Sequence, residues 1–359
     1  MSAQLNDRGR LLSIDVYRGL TMALMCFGGL GHTLENALGH HWITMQFLHV
    51  AWEGCVIWDL IQPSFIFIVG VAMPFAFAIR TSRGATHSQL QRHAFKRSLQ
   101  LLAIGITIVC LHKGSPRIEL TTVLQQIAIA YFIAYFFLGR GLKIQLSGAL
   151  IILLIHSALF LLWPGVGFEG AWAKNANFAS WLDNTLLGRM DAGGYTSFNA
   201  FSSAATILFG MMAGELLRRE ISDNSKVIRL VIAGVVFLLV GVLLGPVVPV
   251  VKRIWTASWA IYSTGWALLL LALFYWLIDV VGRRRWTFPF MVVGMNSITM
   301  YILYQMLRGS IDRWLWVFTR YILEPLGGVG PIIHQFFIFG VLWYMVYWLY
   351  KRNIFLKVG

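Results

Sequence analysis

Apolar and polar positions alternate along the chain in long blocks rather than with the short period of a soluble fold. Apolar stretches lie near 11–31, 59–80, 97–112, 121–139, 145–164, 200–217, 227–246, 255–281, 288–307 and 332–351. A helix rising 1.5 Å per residue needs about 20 mostly apolar residues to cross the hydrocarbon core of a bilayer. The pattern therefore predicts an all-α fold, a polytopic transmembrane helix bundle of about ten spans. No shift in composition and no internal period divides the chain, so 1–359 reads as a single domain. Two polar connections are longer than the rest, 32–58 and 165–199. The first holds four histidines and no Lys or Arg and is too polar to span, which predicts an amphipathic or re-entrant piece. The second is rich in Gly, Asn, Asp and aromatics, a composition suited to a loop that covers a site.

Composition agrees with the pattern. Hydrophobic residues make up 58% of the chain and charged residues 12%, against about 25% charged in soluble domains. Trp42, Trp52, Trp58, Trp163 and Trp255 fall near expected helix ends, the level at which indole rings settle in a membrane. Gly210 and Gly214 form a small-xxx-small pair, read first as packing within one subunit and second as the seam of a homodimer.

The net charge of +14 raises the question of nucleic acid, and the distribution of charge answers it. With the N-terminus in the cytoplasm, most of the 29 Lys and Arg residues fall in inner segments, chiefly 80–97, 218–229, 283–285 and the C-terminal tail. That is the positive-inside bias, so the lipid bilayer is the partner it implies, with no nucleic acid and with both termini cytoplasmic. The first apolar run lacks a small-residue cleavage site and is expected to be retained. Cys26, Cys55 and Cys110 have neither even number nor C-x-x-C spacing and imply no disulfide framework. His32, His40 and His41 lack a recognised ligand spacing, so no metal is expected.

Candidate chemistry concentrates in "HVAWEGCVIWDLIQPSFIFIVG", residues 49–70, which places His49, Glu53, Asp59 and Gln62 at the mouth of an apolar segment. An imidazole titrates near pH ~6.5 and can take and return a proton, or carry an acyl group as a nucleophile. Asp59 opens the second apolar run, where an acid can cap the helix and also orient a neighbouring imidazole. In "SIDVYRG", Asp15 and Arg18 are spaced i, i+3 and read as a neutralising pair, or as an arginine aimed at a phosphate-bearing ligand. Asn296, Ser297 and Tyr301 place polar groups in an apolar helix, where hydrogen bonding between helices is the first explanation.

Four strings, "RLLSIDVYRGLTMALM", "HVAWEGCVIWDLIQPSFIFIVGVAM", "KRIWTASWAIYSTGWALLLLALFYWLID" and "PFMVVGMNSITMYIL", in this order resemble the heparan-α-glucosaminide N-acetyltransferase family and its bacterial relatives. The resemblance implies a multi-pass acyltransferase that takes acetyl from cytosolic acetyl-CoA and delivers it to an amino sugar or glycan across the membrane. It implies His49 as the catalytic residue, with Asp59 matching the family's D-L-x-x-P and Asp15 and Arg18 its S-x-D-x-x-R-G. Coenzyme A is then expected near the cytoplasmic mouth, with Arg18 the first candidate to hold it and Lys96 and Arg97 the next. Glu53, Gln62 and Asn296 are expected on the acceptor side, and a bacterial inner membrane is the expected location. The chain departs from the family at Gly29, where an Asn is common, at "LQQ" 124–126, where L-Q-R is frequent, and ahead of the sixth span, which lacks Pro-Glu-Gly. The alternative is a membrane transporter of an amino sugar or small glycan, since polar groups inside a bundle also line transport paths.

Overall fold

The computed structural model describes residues 11–167 and 170–356. The chain ends, on which the expected cytoplasmic placement of the termini falls, lie outside these residues. The helices are, in order, α1 (Leu12–Met25), α2 (Leu30–Leu38), α3 (Trp42–Met45), α4 (Ile61–Ser82), α5 (His87–Lys113), α6 (Val123–Tyr135) and α7 (Leu142–Leu161). They continue with α8 (Phe178–Leu187), α9 (Asn199–Arg218), α10 (Asp223–Leu244), α11 (Ala257–Phe274), α12 (Phe288–Met295), α13 (Ser297–Leu323) and α14 (Val329–Lys351).

Each of the ten apolar stretches coincides with a helix, but they differ in reach. Among the described residues seven helices are long and apolar enough to cross a membrane, or eight if α12 and α13, bent by 84° at Asn296, count as one span. The other two, α1 and α6, have 14 and 13 residues, so each extends only ~20 Å at 1.5 Å per residue. Each is followed by a turn that holds a left-handed glycine, Gly29 (φ +94°) after α1 and Gly139 (φ +76°) after α6; α1 packs on α4 and α12, and α6 lies between α5 and α9. The polar connection 32–58 forms α2, α3 and a 3₁₀ turn at Ile57–Leu60 rather than a span.

Glycine sets the closest approaches. A Cβ on Gly210 or Gly214 would run into the carbonyls of Phe67 and Val71, and one on Gly70 would meet that of Ile207, so α4 and α9 pack backbone to backbone. The Gly210/Gly214 pair is therefore spent on packing inside the chain. Gly19 and Gly294 do the same between α1 and α12. These contacts hold α1, α4 and α9 at the centre of the bundle, and the loops at one end of α4 carry the residues of interest.

Candidate active site

Two loops meet above α4. Residues 49–56 follow α3, turning at Gly54 in a left-handed conformation (φ +107°) that favours glycine. Residues 249–256 join α10 to α11. The Gly54 N–H donates to the Val250 carbonyl at 2.9 Å and Glu53 pairs antiparallel with Val251, so the loops form a short shared ladder. The second loop is pinned from below. Thr256 Oγ1 donates to the Pro249 carbonyl at 2.7 Å and accepts from the Val251 N–H at 3.0 Å. Trp255 takes the left-handed region (φ 53°), a strained choice for a bulky residue. Its fully buried ring, with Nε1 donating to Thr206 Oγ1 at 3.1 Å, holds that conformation in place.

This arrangement brings His49, Asp59 and Lys252 together. Asp59 sits in the 3₁₀ turn and its side chain is 1% exposed. Its Oδ1 bonds His49 Nδ1 at 2.7 Å and accepts from Lys252 Nζ at 3.2 Å. Its Oδ2 accepts from the backbone N–H groups of Val50 and Val56, each at 3.4 Å, so Asp59 both closes the turn and binds the ring. The His49 side chain, by contrast, is 47% exposed. Nδ1 faces the carboxylate, and Nε2 is the ring nitrogen that remains. An imidazole that donates Nδ1–H to a carboxylate carries a lone pair on Nε2, the form needed in a base or nucleophile.

Lys252 is buried, and loss of hydration pushes its ammonium below the ordinary lysine range while the Asp59 charge opposes that. Burial pushes the neighbouring Cys55 thiol up to about 12, with the Asp59 charge adding to it. All three cysteines are free.

The long connection before α9 folds onto this site. Trp52 Nε1 donates to the Trp172 carbonyl at 3.0 Å. Arg253 donates to the carbonyls of Gly193 and Val50 and lies over the Tyr195 ring, 5.4 Å from its centroid. Beneath Asp59, Gln62 Nε2 donates to Gln126 Oε1 at 2.5 Å and Gln126 passes the chain on to Ser203, a polar ladder across α4, α6 and α9. Glu53 is exposed beside the ladder of the two loops.

The remaining candidates lie elsewhere. Arg18 bonds Asp15 Oδ1 at 2.6 Å and donates from Nε to the Gly294 carbonyl at 2.8 Å, just ahead of the α12–α13 bend. Asn296 occupies that bend, two residues past Gly294, the carbonyl partner of Arg18. Its side chain is buried with neither amide atom hydrogen-bonded, so bonding between helices does not account for it. Lys96 is exposed on α5, and Arg97 stacks over the Tyr131 ring at 5.0 Å.

Lys252 and Arg253 escaped the sequence reading, although their string carries part of the resemblance. The available signal was their side of the membrane: with an inward N-terminus they fall among the minority of basic residues outside, where the positive-inside bias does not explain them.

Two curated relatives and one family resemble the chain in sequence. The mouse (Mus musculus) heparan-alpha-glucosaminide N-acetyltransferase is 25% identical over 98% of this chain and 61% of its own length. The human (Homo sapiens) protein of the same name is 26% identical over 97% of this chain and 60% of its own length. The chain thus spans about three fifths of the length of the curated relatives it matches. The family described as heparan-alpha-glucosaminide N-acetyltransferase, catalytic, matches residues 10–245, which include His49 and Asp59. A helical membrane bundle matched along well over half of its length in this way belongs to the heparan-alpha-glucosaminide N-acetyltransferase catalytic family.

Proposed function

We propose that the protein transfers acetyl from acetyl-CoA, entering from the cytoplasm, to the amino group of an amino sugar or glycan on the far side of a bacterial inner membrane. The observation that carries this reading is the His49–Asp59 pair, a half-exposed imidazole tied through Nδ1 to a buried carboxylate. Amines are largely protonated at neutral pH and cannot attack a thioester. His49 Nε2 takes one proton from the ammonium, and the freed lone pair forms the C–N bond at the thioester carbonyl carbon. The C–S bond then breaks, the second proton lost from nitrogen as the amide forms goes to the departing thiolate, and His49 returns its proton to solvent. Asp59 keeps the ring oriented and stabilises the imidazolium formed. One well-placed base contributes about 10²–10⁴-fold.

Arg18, Lys96 and Arg97 are the proposed contacts for the anionic nucleotide end of coenzyme A. Arg18 is the first choice because its guanidinium already stands within the bundle. Glu53, Gln62 and Asn296 are the proposed acceptor-side groups, with Gln62 at the start of α4, one turn past Asp59. Gly210 and Gly214 give no support to a homodimer, since both are used on α4. The bent pair α12–α13 is the one feature of a transporter kind among the described residues. Transporters carry such breaks in corresponding positions of two halves, and no second bent pair accompanies it here.

The test is to incubate purified protein with acetyl-CoA and a panel of amino sugars and follow free thiol. Thiol release that needs an acceptor and disappears in His49→Ala is expected; full transfer by a folded His49→Ala variant overturns the assignment. Rapid-quench mass spectrometry with donor alone distinguishes the routes, since acetyl accumulating on His49 would replace direct transfer by a covalent intermediate.

A further inference from the structure

We infer that Lys252 is a positioning residue that keeps His49 in its neutral, proton-accepting form: its Nζ lies 3.2 Å from Asp59 Oδ1 and 3.4 Å from His49 Nδ1. The inference rests on reading His49 as the base.

A buried carboxylate beside an imidazole presents a conflict. It orients the ring, but an opposite charge in contact also favours the imidazolium, by about 1–3 pH units. An imidazolium has no lone pair on Nε2 and cannot accept a proton from the amine. A second cation on the same carboxylate oxygen removes the conflict. Lys252 neutralises Asp59 and sets a positive charge against the ring, so a proton added to His49 meets repulsion as well as attraction. Asp59 can then hold the ring without holding a proton on it. The built character of the contact supports this role. Lys252 comes from a loop 193 residues away from Asp59 in sequence, its side chain is only 6% exposed, and its turn is locked by the strained Trp255.

The other charged and titratable groups facing this pair are few. Cys55 and Glu53 come from the His49 loop, Arg253 from the Lys252 loop, and Asp191 and Tyr195 from the connection before α9. The Cys55 thiol is held protonated and adds no charge. Arg253 is turned to the Gly193 and Val50 carbonyls. Lys252 alone among them contacts both Asp59 and His49.

The experiment titrates His49 by NMR in nanodiscs, using histidine-labelled protein with the His49 signal identified by its loss in His49→Gln. Wild type, Lys252→Arg and Lys252→Met are compared. Lys252→Met should raise the midpoint of proton uptake by the His49–Asp59 pair by about 1–3 pH units, and Lys252→Arg should restore the wild-type midpoint. The acid limb of the pH–rate profile for acetyl transfer should move by the same amount, which a merely structural lysine would not produce. An unmoved His49 midpoint in folded Lys252→Met overturns the inference. Should that variant fail to assemble, Lys252→Gln, uncharged but still hydrogen-bonding, carries the same expectation and the same refutation. The titration reads His49 whether or not it catalyses. A transfer-competent His49→Ala variant would sink the proposed function, and an unmoved midpoint would sink the role of Lys252, so the two failures stay separate.

Discussion

Asp59→Asn removes the charge that both His49 and Lys252 use while leaving the shape of the side chain almost unchanged. Two effects should separate. The first is on stability: the carboxylate is buried and in contact with an equally buried ammonium, so neutralising it strands Lys252. Breaking a buried pair from one side costs about 3–5 kcal/mol. At ~2 °C per kcal/mol for a large chain, the unfolding midpoint should fall by about 6–10 °C. The second is on turnover. An amide no longer selects the Nδ1–H tautomer or stabilises the imidazolium, so transfer should drop by about 10²–10⁴-fold while donor binding is retained. The double variant Asp59→Asn/Lys252→Met removes the stranded cation and should recover most of the lost stability without recovering activity. Thermal unfolding in one detergent, calorimetric titration with coenzyme A and thiol release measure the three quantities. A single variant as stable as wild type would show that the two charges are not coupled. A double variant as unstable as the single one would show that the loss does not come from Lys252.

Three further outcomes are expected. Gly210→Leu should prevent assembly, because even a Cβ there meets the Phe67 carbonyl of α4; a monodisperse, active variant in size-exclusion chromatography would contradict the backbone-to-backbone packing of α4 and α9. Arg18→Ala should weaken coenzyme A binding and loosen the α12–α13 bend, since the guanidinium also holds the Gly294 carbonyl; unchanged affinity by calorimetry in a folded variant removes Arg18 from donor binding. Cys55 should resist alkylation at pH 8, where a thiol pushed up to about 12 is ionised in about one molecule in ten thousand and only the thiolate reacts; labelling by iodoacetamide at the rate of a free thiol would refute that environment.

Much of the fold could be read from the chain because helix formation across a membrane is a local decision. A run of about 20 apolar residues must satisfy its own backbone hydrogen bonds, and any such run becomes a helix wherever it lies. The all-helical bundle, the helices at 59–80 and 227–246 and the polar, non-spanning piece at 32–58 follow from this. The Asp15–Arg18 contact is of the same kind, since i, i+3 residues share a helix face. His49 and Asp59 stand ten residues apart at one helix mouth, close enough for sequence to place them in one neighbourhood.

What sequence could not decide depends on which helices meet. Length alone counts α1 and α6 as spans, but the chain turns at Gly29 and Gly139, both in the left-handed region, and the two helices stop at 14 and 13 residues. The surroundings of Asn296 also come from packing, since the α1–α12 contact through Gly19 and Gly294 brings Arg18 to the Gly294 carbonyl, two residues before Asn296. Lys252 carried no local mark beyond a basic residue on the less basic side. Its meeting with Asp59 requires the α10–α11 link to pair with the His49 loop through Gly54 and Val250, and requires a strained Trp255 that only a fully formed core can hold. A buried cation is tolerated only where folding has already brought its counter-charge within contact, so its position belongs to the tertiary structure and not to any stretch of sequence.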